Sequence, residues 1–191
     1  VSAGAHDVFV QKLDSSGNFV WARGMGGSAD DLGYGVAVDD SGNVYTTGSF
    51  EGSGDFNPGA GTTTLTSRGG ADVFLQKLSS AGLLSWAVGL GGSGNDAGSG
   101  VGVDKGGNPY TTGYFRGTVD FNPGAGTSNA VSGGAQDAFV LRMQTEGVFA
   151  WVATMGGSST DVGTAIDVND NGDVHVTGYF TGTVDFQPGT G

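Results

Sequence analysis

One residue pattern recurs every 65 positions along this 191-residue chain, without insertion or deletion, so the chain must use one structural unit repeatedly. Trp21, Trp86 and Trp151 stand 65 apart, as do Asp7, Asp72 and Asp137, then Asp55, Asp120 and Asp185, and Pro58, Pro123 and Pro188. Residues 1–61 set against 66–126 give 37 identities in 61 positions, the mark of recent duplication. Each copy is therefore expected to fold alike.

The unit reads as strands joined by turns. Gly35 to Asp39 (GVAVD) is a short apolar run, and the DSGN that follows has the composition of a tight hairpin turn leading into NVYTTGSF. A Gly-rich connector comes next, in which Asn57, Pro58, Gly59 and Ala60 suit a type II turn with Pro second and Gly third. The strand DVFLQKL (Asp72 to Leu78), the turn SSAG and the strand LLSWAVGL complete four strands per unit, a to d, as a meander. In DVFVQKL, Phe9, Gln11 and Leu13 lie on one face and Val8, Val10 and Lys12 on the other. Both faces are largely apolar, as a sheet covered on each side requires. The small residues of GVAVD and GVGVD suit strands crowded around an axis.

These features point to an all-β fold, a β-propeller-type array of four-stranded antiparallel blades with one blade per 65-residue repeat. The expected divisions are a c–d half-blade over 1–34, whole blades over 35–99 and 100–164, and an a–b half-blade over 165–191. The two half-blades are complementary. Three units are too few to close a ring, so open strand edges are expected at both ends, to be met by the rest of a longer propeller chain or by further copies of this one.

Composition limits function. With 40 Gly, helix is disfavoured by about 1 kcal/mol at each such position relative to Ala. A net charge of −12 with only seven Lys and Arg argues against nucleic acid as a partner. No apolar run approaches the ~20 residues of a membrane span. Absence of Cys excludes disulfides without fixing a compartment, while the acidic, Lys-poor, Thr- and Gly-rich make-up favours the extracellular space or cell surface. The chain opens on Val1, without Met or a signal peptide, as a piece of a longer protein would.

The segments GGSADDLGYGVAVDDSGNVYTTGSF and DVFLQKLSSAG also resemble the bacterial SBBP β-propeller repeat family, which is similar to NHL-type blades. That resemblance implies an innermost strand at GVAVD, with later strands running outward, in secreted or surface proteins of no single activity. The DFNPGAG connector departs from the family pattern and is expected to add a small hairpin or loop on one rim.

Chemistry is sparse. Asp31, Asp96 and Asp161, and Asp55, Asp120 and Asp185, recur in every copy, which suits turn capping better than calcium binding or an active site built once. In DVNDNGDV, Asp167, Asn169, Asn171 and Asp173 with Gly172 resemble the start of a calcium loop. Gly178 stands where that loop would need a bidentate Glu, and a plain hairpin turn serves equally. His6 and His175 are not repeated and form no triad or zinc set. The three Trp are expected to be buried alike between blades. No catalytic residue and no cofactor other than calcium is assigned, and the chain is read as a non-enzymatic protein with a structural, adhesive or assembly role. The alternatives are a glycan- or protein-binding propeller and the non-catalytic part of a propeller enzyme.

Overall fold

The computed structural model describes residues 2–187, which form seventeen β-strands and no helix. In chain order these are β1 (Val8–Leu13), β2 (Phe19–Gly27), β3 (Asp31–Val38), β4 (Val44–Phe50), β5 (Ser53–Asp55), β6 (Thr64–Thr66), β7 (Asp72–Leu78) and β8 (Leu84–Leu90). There follow β9 (Ala97–Val103), β10 (Pro109–Phe115), β11 (Thr118–Asp120), β12 (Asn129–Val131), β13 (Asp137–Met143), β14 (Phe149–Gly157), β15 (Val162–Val168), β16 (Val174–Tyr179) and β17 (Val184–Asp185). The last four residues of the 165–191 segment lie outside the described residues.

The middle unit is an antiparallel sheet in the order β3-β4-β7-β8, the a-b-c-d meander read from the sequence. The next sheet repeats it as β9-β10-β13-β14. At the chain ends stand the pair β1–β2 and the pair β15–β16. Strand a begins earlier than GVAVD suggests, at Asp31, Ala97 and Val162, and carries a register shift near its middle, as at Gly33/Gly35.

Turn chemistry explains the hairpins. Asp39 Oδ1 accepts from the amides of Ser41 and Asn43, Gly42 N donates to Asp39 O, and Gly42 takes φ +78°. A β-branched residue at Gly42 would be strained in that left-handed conformation.

The connector differs from expectation in two respects. Gly59 does not take the positive φ that a type II turn demands; the Asn57 side chain accepts from Gly59 N at 2.9 Å and closes an Asx turn instead. Each connector also forms its own hairpin, β5–β6 in one copy and β11–β12 in the next, and this hairpin reaches back to the preceding sheet. Gly26 and Gly27 of β2 pair with Asp55 and Gly54, and Gly156 and Gly157 of β14 pair with Asp185 and Val184. The intermediate copy makes the single bridge Gly92–Val119. Strand d is thus not the outer limit of its sheet, and the third sheet has five strands, in the order β17-β14-β13-β10-β9.

Successive a strands pack side by side. A Cβ on Gly35 would lie 3.0 Å from the Gly100 Cα, and one on Gly100 3.2 Å from the Ala165 Cα, so glycine is what permits this approach. The c strands β7 and β13 are covered on both faces. Phe74 and Leu78 of β7 join Val8, Val10, Trp21, Met25, Phe50 and Phe56 in one core between sheets, while Val73 and Leu75 join Phe115, Phe121, Phe139, Leu141 and Met143 in the next. Gln76, fully buried among them, accepts from Thr46 Oγ1 and donates to Phe56 O at 2.6 Å, so its burial leaves no orphan amide.

Candidate functional site

The recurrent acidic residues lie where one sheet meets the next. The main-chain amides of Gly27, Gly92 and Gly157 donate to Oδ2 of Asp31, Asp96 and Asp161 at 2.6, 2.9 and 2.8 Å. Asp96 Oδ1 also accepts from Arg116 N, and Asp161 Oδ1 from Thr181 N. In the connectors, Asp55 Oδ1 holds the amides of Asn57 and Thr63, Asp120 Oδ1 those of Asn122 and Ser128, and Asp185 Oδ1 that of Gln187. These carboxylates bind main-chain amides, and Asp96 and Asp161 take theirs from two successive sheets.

A second acidic row, not singled out as site residues from the sequence, opens each c strand. Asp72 Oδ2 accepts from Arg68 N at 2.9 Å and Asp137 Oδ2 from Gly133 N at 3.0 Å, and Asp7 occupies the equivalent place. Burial, with Asp96 adding like charge, pushes the Asp72 carboxyl up to about 6. Burial raises Asp31, Asp96 and Asp137 as well. Their recurrence was visible in the sequence, but their meeting with the first row, 24 residues further along, is a product of the fold.

The residues of the calcium-like segment are spread differently. Asp167 lies on β15 opposite His175, and both are exposed. Asn169 Oδ1 accepts from the amides of Asn171 and Asp173, and Asn169 Nδ2 donates to Asp173 Oδ2. This is the arrangement that Asp39 and Asp104 make in the other copies, so Asn169 is engaged in shaping its turn. His6 Nδ1 lies 2.6 Å from Asp30 Oδ1, an exposed contact that lowers the Asp30 carboxyl.

The tryptophans bind sheet to sheet, though not equally. Trp21 Nε1 donates to Ser80 O and Trp86 Nε1 to Thr145 O, each in the c–d turn of the following unit. Trp21 is 7% exposed and Trp86 half-buried, but Trp151 is 39% exposed, contrary to the expectation of equal burial. Equal sequence phase does not give equal burial, because the covering turn belongs to a neighbour.

The same dependence on neighbours exposes apolar surface at both ends. Phe74 and Phe139 are fully buried, yet the equivalent Phe9 is 75% exposed. Phe50 and Phe56 contact each other at 5.4 Å between ring centroids, and Phe56 meets Phe74 at 5.0 Å; Phe115, Phe121 and Phe139 repeat the set. Phe180 and Phe186 keep the first contact, at 5.2 Å, but lack a third ring and are 55% and 58% exposed.

Residues 20–49, which span the end of strand c–d pairing and the a–b hairpin, match the family model described as the SBBP beta-propeller repeat. Residues 20–49 thus carry a β-propeller repeat of the SBBP type. The chain is 29% identical over 199 residues to an uncharacterized WD repeat-containing protein, L264, of Acanthamoeba polyphaga mimivirus, a match covering 94% of the chain and 14% of that protein. It is 31% identical over 111 residues to the regulatory protein FlaEY of Caulobacter vibrioides, covering 58% of the chain and 12% of that protein. The chain thus spans a small part of the length of these curated relatives. Among the described residues there is no helix long and apolar enough to cross a membrane.

Proposed function

We propose that this SBBP-type chain is a non-catalytic scaffold at the cell surface or outside the cell, with a structural, adhesive or assembly role, and that its sheets belong to a β-propeller ring of four-stranded blades. The carrying observation is the contrast between Phe9, Phe180 and Phe186 and their fully buried equivalents. The β15–β16 pair presents a b strand without its c strand, and β1 is a c strand without its b strand. Unpaired strand edges beside apolar surface are templates for strand addition. The chemistry that fits each edge is therefore another unit of this same repeat, from the rest of a longer polypeptide or from a second copy. The acidic, Lys-poor, Thr- and Gly-rich composition supports the exterior location.

The internal sheets specify the register of such a junction. Thr46 pairs with Gln76 and Thr111 with Leu141, so Val176 should stand opposite Gln11. A chain without Cys makes this testable: the double variant Gln11→Cys, Val176→Cys should cross-link between molecules under mild oxidation, and light scattering should show mass rising with concentration. A strict monomer in which β1 and β16 resist hydrogen exchange as well as β4 and β10 would refute the reading.

A further inference from the structure

At each junction the two aspartate rows meet across a Gly-Gly pair. A Cβ on Gly26 would stand 2.6 Å from both Asp7 Oδ1 and Asp31 Oδ2, and the Asp72 and Asp137 carboxylates lie directly against Gly91 and Gly156. The next residue, Gly27, Gly92 or Gly157, holds the other aspartate of its pair. Main-chain bonds fix the approach, since the amides of Asp31, Asp96 and Asp161 donate to the carbonyls of His6, Ala71 and Gln136, each just before the c-strand aspartate. The members of a pair belong to different sheets: β7 supplies Asp72, and Asp96 immediately precedes β9.

Asp31, Asp72, Asp96, Asp137 and Asp161 are all buried, and Asp7 is half-buried. The same atom lacks a hydrogen-bond partner in all three copies: Oδ1 of Asp7, Asp72 and Asp137. Asp31 Oδ1 is unpartnered too, beside Asp7. A buried carboxylate oxygen without a donor is costly, and two adjacent carboxylates cannot both stay ionised cheaply. The c-strand orphan recurs in every pair and calls for a donor in each.

We propose that each sheet junction holds a single proton shared between its aspartates, Asp7 with Asp31, Asp72 with Asp96, and Asp137 with Asp161, so that alkali loosens the joints and mild acid tightens them. The c-strand aspartate carries the proton on Oδ1, because its partner is already committed to main-chain amides as a carboxylate. When pH rises the proton passes to solvent and leaves two facing negative charges. The other groups that bear on the middle pair are Arg68, whose charge favours the ionised form, and Tyr114, beside Asp96. Asp30, with His6, flanks the first pair. The Asp72 carboxyl, raised to about 6, is consistent with this geometry.

Carboxyl-detected NMR of the full chain should show the Asp72 carboxyl still protonated at pH 5, where exposed aspartates have ionised. The unfolding equilibrium constant should be about tenfold larger at pH 8 than at pH 5 from Asp72 alone. Asp72→Asn, which places an N–H donor at the orphan without charge, should remove that factor. An ionised Asp72 carboxyl at pH 5, or an unfolding constant that does not rise with pH, would overturn the proposal. So would a melt at pH 8 raised by millimolar Ca²⁺ and reversed by chelator, since a cation would then occupy the place assigned to the proton. The NMR titration uses the unaltered chain and stands even if the Asn variant fails to fold.

Discussion

Gly147→Ala tests whether the tryptophan contact between sheets carries stability. Gly147 takes φ +81°, and a Cβ there would stand 2.9, 3.1 and 3.2 Å from Cδ2, Cγ and Cε2 of Trp86. Gly117, in the same unit, takes φ +74° but has nothing within 4 Å of its Cβ position. Gly117→Ala therefore bears only the left-handed backbone penalty of about 1–2 kcal/mol, offset by about 0.4–1 from a stiffer unfolded chain. A net loss near 0.5–1 kcal/mol is expected. Gly147→Ala adds the overpacking against the Trp86 ring, about 1–3 kcal/mol. Displacing the ring also strains its 2.9 Å bond to Thr145 O, worth about 1 kcal/mol. The difference between the variants should be about 2 kcal/mol or more, read from equilibrium urea unfolding followed by tryptophan fluorescence and far-UV circular dichroism. Equal losses in the two variants would show that the turn can retreat from Trp86 freely, and the inter-sheet role given to the tryptophan would fall. Gly82→Ala repeats the experiment at Trp21, where the Cβ would stand 3.0 Å from the ring.

Phe139→Ala should cost about 3–5 kcal/mol in urea unfolding, whereas Phe9→Ala, at the same repeat position but exposed, should change the stability of the unassociated chain by less than about 0.5. Stability should peak on the acid side, near pH 4–5, when denaturant midpoints are compared across pH. Above that range the contribution of the raised Asp72 carboxyl is lost as pH climbs through about 6; below it, stability falls as the lowered carboxyls of Asp39 and Asp104 become protonated. In those two, burial is outweighed by hydrogen bonds from Asn43 and Tyr45, and from Asn108 and Tyr110. A maximum at pH 7 or above would contradict both assignments.

Residue order along the chain dictates what is local and periodic. Apolar runs of six to nine residues between Asp, Asn and Gly turns leave a chain this rich in glycine no regular structure but hairpins, and the repeat transmits each hairpin to every copy. The capping work of Asp55 and Asp96 was legible for the same reason: a carboxylate among loop amides finds its donors close by. The tertiary structure decided whatever depends on a neighbouring sheet. The connector hairpin reaches back to the preceding unit, where it pairs with the open edge of strand d. Trp21, Trp86 and Trp151 share one sequence environment but differ in burial, since the turn that covers each comes from the next copy. Asp72 and Asp96 are ordinary turn aspartates when read along the chain. Only the packing of one sheet on the next removes them from water together, and that desolvation is what raises the carboxyl of each.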